Sequence, residues 1–273
     1  MKAMKTILAA CLLSLATAAN AQKTYVHITT QSGIQYDIAS DTITSMTMDT
    51  KAPQAPTTGT AKAKLDGTNE VDVTWVQLWE NGPKFAEFNV GATITNYASV
   101  TDNTTSVAYA TANVGGLYGW GGLTNKSYSD YYSGTEYDTN GNLESNYDVA
   151  AQLWGISWRI PTRTEIQALI NTDNTELTWC DGSTTQYVSG CTLKGYKICG
   201  KTGTAYADNC IFLPAAGYYS VYGGLASQGT YGYYWTSTPQ SENSYYLYIS
   251  TNSKMMMYDA RNYCRSVRAV LAE

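Results

Sequence analysis

The chain of 273 residues is poor in histidine and in charge. His27 is its only histidine, which excludes a His-ligated metal centre and a Ser-His-Asp triad in the main body of the chain. Charged residues make up 14% of the sequence, against roughly 25% in an average soluble domain. The net charge of -5 comes without a cluster of lysine and arginine, so an electrostatic binder of nucleic acid is excluded.

Long hydrophobic runs are also missing. After residue 21 no apolar run approaches the roughly 20 residues of a membrane span. Residues 1–21 have the features of a secretory signal peptide: Lys2 and Lys5 at the start, a short apolar stretch, and the small-x-small site at 19–21. We therefore expect an exported protein, located at the cell surface, outside the cell or in the periplasm.

A lipid anchor is the alternative interpretation of the same segment. Cys11 follows Leu8, Ala9 and Ala10, which resembles a lipoprotein box. The apolar run continues past Cys11, so cleavage after residue 21 is the preferred interpretation.

Cysteines are few and contain no Cys-x-x-Cys motif, so zinc or redox chemistry is not indicated. Cys180 and Cys191 are eleven residues apart, as are Cys199 and Cys210, and each pair flanks a turn with glycine and threonine. In an oxidising compartment this spacing predicts two cross-strand disulfides. Cys264 is left over, and the alternative is that all five thiols of the mature chain are reduced and half-buried.

The pattern along the chain predicts two folded regions. Residues 22–48 form a small β unit, because 25–28 and 34–38 alternate apolar and polar residues and a third short strand follows at 42–48. Residues 49–69 lack periodicity and are predicted to be a linker. The main domain is expected over 70–273.

Helices are predicted in the first half of the main domain and strands in the second. One helix covers about 147–154, and another begins at Thr162, where Thr162 and Glu165 form a capping box. The stretch 93–142 is predicted to be long loops, with a short ordered stretch around Tyr109 and a glycine-rich segment packed round a buried Trp120. This arrangement indicates an α+β fold with a mainly antiparallel sheet. The predicted strands are 71–79, 84–90, 175–180, 192–199, 210–214, 231–237, 245–250, 255–258 and 265–271.

Five stretches in order resemble a known family. They are 81–92, 154–165, 211–218, 232–238 and 265–270, with sequences such as Trp-Gly-Ile-Ser-Trp-Arg-Ile-Pro-Thr and Arg-Ser-Val-Arg-Ala-Val. In this order they are similar to the Fibrobacter succinogenes major paralogous domain family, over about residues 70–271. The small β unit resembles the N-terminal segment of exported proteins of the Bacteroidetes.

The resemblance implies a C-type-lectin-like fold with two helices, a mainly antiparallel sheet and long loops on one side. Cys264 and Ala269 stand where family members usually have glycine and proline. The calcium-binding triplets of C-type lectins are missing from the sequence, so calcium-dependent sugar binding and a cofactor are not expected. Trp154, Trp158 and Trp235 belong to the family motifs and are expected in the core.

Tyrosine is the abundant residue, and residues 206–263 hold 12 of the 24 in the chain. Tyrosine mixed with serine, asparagine and glycine is the composition of recognition loops. If Leu247 and Ile249 face the core, Tyr246 and Tyr248 face outward. If Met256 faces the core, then Met255, Met257 and Asp259 face outward. The alternative is that tyrosines simply coat a sheet.

These residues define the predicted binding surface, for which no catalytic and no metal-binding residue is proposed. Its candidate ligand-binding residues are Tyr219, Tyr222, Gln240, Asn243, Tyr246, Tyr248, Met255, Met257, Tyr258, Asp259, Arg261, Asn262 and Tyr263.

The leading functional hypothesis is an exported, non-enzymatic adhesion or binding protein that presents a tyrosine-rich face to an extracellular glycan or protein. A sharper version makes 218–263 a diversified region, as in C-type-lectin-like proteins targeted by retroelements. One alternative is a structural subunit of an envelope or fimbria. A hydrolase ranks last, since no pair of carboxylates stands in a diagnostic motif.

Overall fold

A computed structural model describes residues 25–29, 35–39, 57–65, 67–94, 97–182 and 191–272. The chain divides into two compact units, Met1–Ala55 and Pro56–Glu273. The predicted signal peptide over 1–21, Cys11 and the predicted strand over 42–48 lie outside the described residues. Within the described part of the chain, no helix has both the length and the hydrophobicity of a membrane span.

The first unit contains an antiparallel hairpin. Strand β1 (Tyr25–Thr29) pairs with strand β2 (Gln35–Ala39) along their full lengths. Both strands fall where alternation of apolar and polar residues predicts them.

The second unit is mostly sheet, and its strands pair with one another in antiparallel fashion. The described residues contain four short helices, so the predicted α+β class with antiparallel sheets is confirmed. The elements in chain order are β3 (Thr58–Ala63), β4 (Val71–Gln77), β5 (Lys84–Ala86), a 3-10 turn (Tyr97–Ser99), α1 (Thr105–Ala108), α2 (Thr111–Val114), α3 (Val149–Trp154), β6 (Trp158–Arg159), α4 (Arg163–Leu169), β7 (Thr175–Cys180), β8 (Gly195–Gly200), β9 (Cys210–Pro214), β10 (Tyr218–Ser220), β11 (Gly224–Ala226), β12 (Gly232–Gln240), β13 (Asn243–Ser250), β14 (Ser253–Ala260) and β15 (Val270–Leu271).

The described residues of this unit form four sheets. The largest has the strand order β3-β4-β5-β15-β6, so the last strand of the chain lies in its interior. Val270 of β15 pairs with Phe85 on one side and with Arg159 on the other. Two meanders follow the chain order, β7-β8-β9 and β12-β13-β14, and β10 forms a hairpin with β11.

Strand β3 lies within the stretch predicted to be a linker, and that prediction is wrong here. Residues Thr58–Ala63 form an edge strand paired along their length with β4, and the compact unit begins at Pro56 rather than near residue 70. The segment shows no strong apolar alternation because a large side chain of the neighbouring strand β4 fills the space beside it. A Cβ atom on Gly59 would come within 2.6 Å of the Trp75 ring, so glycine lets that ring cover the strand.

The two predicted helices form where their caps indicate. The Asp148 carboxylate caps α3 by accepting from the backbone N–H groups of Ala150 (2.8 Å) and Ala151 (3.2 Å). Helix α4 has the predicted capping box between Thr162 and Glu165. The short ordered stretch predicted around Tyr109 within the loop region is present as the helices α1 and α2, which flank that residue.

Among the residues of this unit that the structure describes, the buried side chains form three core clusters. The first contains Trp120, Trp154, Trp158 and Trp235, and the tryptophans expected in the core are therefore buried. Trp120 lies in its glycine-rich loop as expected, and its indole N–H donates to the carbonyl of Thr236 at 2.7 Å. The second cluster includes Leu78, Phe85, Tyr234, Leu247 and Ile249, and the third includes Phe88, Tyr97 and Phe212.

One of the two predicted disulfides is present. Cys199 and Cys210 are direct partners in the β8–β9 ladder and are joined, as predicted. The prediction for Cys180 and Cys191 is wrong, and both are buried free thiols. The reason is strand register, since the partner of Cys180 across β7 and β8 is Gly195. The same spacing in the sequence therefore gives a disulfide in one pair of cysteines and two free thiols in the other.

Candidate functional site

Strands β12, β13 and β14 place alternate side chains on two faces of one sheet. Tyr234, Leu247 and Ile249 point into the second core cluster. On the opposite face, Tyr233 pairs with Tyr248, and Tyr248 pairs with Met255. The next row on that face consists of Trp235, Tyr246 and Met257. The predicted strand phasing is therefore correct, and the two rows differ in exposure.

The first row continues into a cluster of half-buried tyrosines. The Tyr218 ring lies 5.0 Å from Tyr233 and 5.9 Å from Tyr263, between ring centroids, and the Tyr231 ring lies 5.5 Å from Tyr248. Met255 and Met257 border these rings and are 47% and 39% exposed. We call this surface the tyrosine–methionine face; its residues are Tyr218, Tyr231, Tyr233, Tyr248, Met255, Met257 and Tyr263.

Trp235 and Tyr246 of the second row are covered, so the expectation that Tyr246 faces solvent is wrong. Tyr246 is 5% exposed and meets Trp235 edge-on at 5.9 Å. The guanidinium of Arg265 lies over the Tyr246 ring at 3.5 Å from its centroid. Both faces of the sheet are therefore packed at this end, and local alternation cannot show that. The Tyr246 hydroxyl reaches the sulfur of Met257 at 3.6 Å.

Arg265 is the cation beneath the face. Its guanidinium lies 4.4 Å from the Trp235 ring and 5.6 Å from the Tyr233 ring, and it donates to the Asp259 carboxylate at 2.7 Å. Two of its nitrogens, Nε and Nη1, are buried without a hydrogen-bond partner. The ring faces supply attraction to this charge. Burial lowers the pKa of Arg265.

Burial affects the acidity of two phenols at this surface. Burial raises the pKa of Tyr233 to about 12 and also raises that of Tyr246. The face thus presents rings, hydroxyl groups and thioethers, with the half-exposed Asp259 carboxylate at its border.

Arg261 was expected at the exposed border of this surface, and that expectation is wrong. It is buried, and its guanidinium stacks 4.4 Å from the Trp120 ring. It donates to the carbonyls of Gly134 (2.6 Å) and Ser241 (2.7 Å) and to the Tyr137 hydroxyl (2.7 Å). The side chain fixes the loop around Gly134 against the β12–β13 turn.

Several other predicted residues lie away from the tyrosine–methionine face. Tyr258 is 58% exposed on the opposite side of β14, next to Tyr245. Gln240 and Asn243 pair with each other at the β12–β13 turn, where Gln240 accepts from the Tyr245 hydroxyl. Asn262 is half-buried beside Tyr263.

The β10–β11 hairpin carries the two remaining predicted tyrosines. Tyr222 lies at its turn and is 90% exposed. Tyr219 pairs with Cys264 through the backbone and stacks on Tyr128 at 6.4 Å between ring centroids. The hairpin is thereby joined to the segment that supplies Tyr263.

The sequence prediction missed four members of the arrangement: Tyr218, Tyr231, Tyr233 and Arg265. Tyr231 and Tyr233 stand two apart within a predicted strand, so the same phasing that selected Tyr246 and Tyr248 could have indicated them. The position of Arg265 depends on two backbone bridges, one between Arg265 and Tyr118 and one between the preceding Cys264 and Tyr219. No local sequence pattern indicates these bridges. Among the described residues, no group of three or more His, Cys, Asp or Glu is placed to hold a metal ion.

The comparisons with known proteins bear on this same part of the chain. A family model described as "Domain of unknown function (DUF8237)" matches residues 201–270, which include the entire tyrosine–methionine face and Arg265. No curated protein and no solved structure matches the chain.

Proposed function

We propose that this chain is an exported, non-enzymatic binding protein that docks a protein partner on the tyrosine–methionine face. The observation that carries the proposal is the exposure of Met255 and Met257 beside a continuous cluster of half-buried tyrosine rings. Tyrosine, methionine and arginine are enriched in protein interfaces. Flexible thioethers adapt to a partner's surface, and tyrosine adds contact area at low entropic cost.

The packing of the face supports recognition of a macromolecule. Tyr218, Tyr231 and Tyr248 each contact another ring, so these side chains are held in place before a partner arrives. A preorganised surface loses less conformational entropy on binding. Phenols and thioethers contribute to binding through contact area and hydrogen bonds, which suits a partner protein that covers them.

We also propose that the second unit has a C-type-lectin-like fold and that the chain is exported. A C-type-lectin-like fold agrees with the two capped helices α3 and α4 and with the burial of the motif residues Trp154, Trp158 and Trp235. Export agrees with the Cys199–Cys210 disulfide, because such bonds persist in oxidising compartments.

A paired set of variants tests the proposed interface. The double variant Met255→Glu/Met257→Glu places charge on the face, while Tyr258→Ser alters the opposite side of the same strand as a matched control. Binding of each protein to a panel of purified extracellular proteins and to a glycan array is measured by biolayer interferometry. We expect a protein ligand whose Kd rises about tenfold or more in the double variant only, as for loss of interface anchors.

The outcomes separate the proposal from its alternatives. Circular dichroism shows whether each variant keeps its fold. We expect that it does, because the substituted residues are exposed. Protein binding that survives the double variant, or the absence of any protein ligand in the panel, contradicts the proposal. A large assembly of the chain with itself that the double variant dissociates favours a structural subunit instead.

A further inference from the structure

A cavity of about 530 Å³ opens between the loop 138–145 and the segment 156–162. No residue of the tyrosine–methionine face lines it. Its volume falls within the roughly 300–1,000 Å³ of small-molecule sites. The cavity is therefore a separate feature, large enough for a ligand and not explained by docking of a protein on the face.

One wall of the cavity is polar and held in place. The Asp138 carboxylate accepts from the backbone N–H groups of Asn140 (2.9 Å) and Asn142 (2.8 Å) through its Oδ1 atom. The Asn142 side-chain oxygen accepts from the Thr238 hydroxyl at 3.0 Å. Within the described part of the chain, no hydrogen bond engages Asp138 Oδ2, the Asn140 side chain, the Asn142 Nδ2 atom or the Ser145 hydroxyl. The loop thus presents hydrogen-bond acceptors and donors toward the cavity, on a backbone held by Asp138 and Asn142.

The other wall is apolar and includes an unusually exposed side chain. Ile156 follows Gly155 at the end of α3 and is 86% exposed, and the lining on this side also includes the buried residues Ala151 and Ile160. A saccharide ring has an apolar C–H face and an edge of hydroxyl groups. Such a ring can place its face on Ile156 and its hydroxyl groups toward the amides and the carboxylate of the polar wall.

The charges around the cavity disfavour an anionic ligand. Arg159 is neutralised by two hydrogen bonds to the Glu165 carboxylate, at 2.8 and 2.6 Å. Asp148 is buried, and its oxygens accept from backbone N–H groups, including that of Ile160 at 2.7 Å. The Asp138 carboxylate adds negative charge at the polar wall, so an anionic ligand would be repelled.

We propose that this cavity binds a neutral saccharide of one or two rings. The site is independent of the tyrosine–methionine face and of whatever partner the face docks.

Calorimetry and saturation-transfer NMR on the full chain test the proposal with defined sugars. The probes are glucose, galactose, mannose, N-acetylglucosamine, maltose and cellobiose, with glucuronate as the charged counterpart. The variants Asn140→Ala and Ile156→Ser each alter one wall at an exposed position. Asn252→Ala removes an exposed amide outside the cavity, and Met255→Glu alters the other surface.

We expect at least one neutral probe to bind with a millimolar Kd or tighter. Loss of a hydrogen bond or of apolar contact should raise that Kd about fivefold in Asn140→Ala and in Ile156→Ser, with no change in Asn252→Ala or Met255→Glu. The proposal is overturned if no probe binds, if the cavity variants bind as the parent does, or if glucuronate binds more tightly than glucose. Because Met255→Glu tests the other surface, failure here leaves the proposed protein interface unaffected.

Discussion

Buried arginines join segments that are distant in the sequence. Arg268 donates to the carbonyls of Ala86 (3.0 Å), Glu87 (2.8 Å) and Phe212 (2.6 Å) and to the side-chain oxygen of Asn89 (2.9 Å). A buried cation is costly unless its donors are satisfied, and carbonyl groups satisfy them here. The side chain therefore holds β9 against the end of β5.

Replacing Arg268 should destabilise the second unit strongly. Arg268→Met leaves buried carbonyl oxygens without donors, so we expect the free energy of unfolding to fall by about 3–5 kcal/mol. Arg268→Lys should also be destabilising, since an ammonium cannot reproduce the planar fork of donors. Urea unfolding followed by tryptophan fluorescence measures both. Lys62→Met, at an exposed ion pair, serves as control with an expected change under about 1 kcal/mol; an equal effect would contradict this account.

Asp148 should make stability depend on pH. Burial raises its pKa from the ordinary 3.8 to about 6 in the folded chain, against the opposing effect of its backbone hydrogen bonds. Between these pH values Asp148 is protonated more in the folded chain than in the unfolded chain. The contribution of this group to the free energy of unfolding is therefore fully present below about pH 4 and is lost as the pH rises through 6. We expect the unfolding free energy of the parent minus that of Asp148→Asn to fall by about 1–3 kcal/mol from pH 4 to pH 7.

Chemical denaturation at several pH values measures that difference. The comparison with Asp148→Asn removes the contribution of the other carboxylates. A difference that does not change with pH would show that Asp148 has the same pKa in the folded and unfolded chains, and one that rises with pH would show a lowered pKa in the folded chain; either result contradicts the account.

The exposure of a strand side chain could be predicted from the sequence only where strand alternation alone determines it. Met255 and Met257 are exposed and Met256 packs inward, as strand alternation indicates. Tyr246 follows the same alternation but is covered by Arg265 and Trp235. Its covering residues come from other segments, so burial at this site depends on tertiary contacts.

Elements were predictable where their boundaries are marked by local chemistry. Helix α4 begins at its capping box, and strands β7 and β9 have the predicted bounds. Strand β3 was missed because its short side chains give no apolar alternation and its pairing with β4 carries the structure. The predicted strand over 265–271 is reduced to β15, since Arg265 and Ser266 make isolated bridges instead.

The link between β8 and β9 should contribute measurably to stability. The Cys199→Ala/Cys210→Ala variant frees a short loop in the unfolded chain, so we expect the free energy of unfolding to fall by about 2–4 kcal/mol. A reducing agent should lower the stability of the parent similarly and leave that variant unchanged. In Cys180→Ala the effect of the reductant should persist, because Cys180 is a free thiol. Thermal unfolding with and without reductant tests this; loss of the effect in Cys180→Ala would contradict the assigned connectivity.

At the scale of the whole molecule, the fold class followed from the order of helices and strands, but the closure of the second unit did not. Strand β15 enters the largest sheet between β5 and β6, which brings the end of the chain beside residues far earlier in sequence. The same closing segment supplies Arg265 beneath the tyrosine–methionine face and Arg268 within the core. The binding surface could therefore be placed on the late hairpins from sequence, while its centre and its limits could not.

Methionine methyl NMR tests the central claim most directly. The sequence contains seven methionines, and Met255 and Met257 report on the tyrosine–methionine face alone. A protein ligand identified by the binding panel is titrated into the chain labelled with ¹³C at the methionine methyl groups. The account predicts that the signals of Met255 and Met257 shift or broaden with saturation at the measured Kd, while that of the inward-packed Met256 changes less. Unchanged Met255 and Met257 signals in the fully bound complex would contradict it.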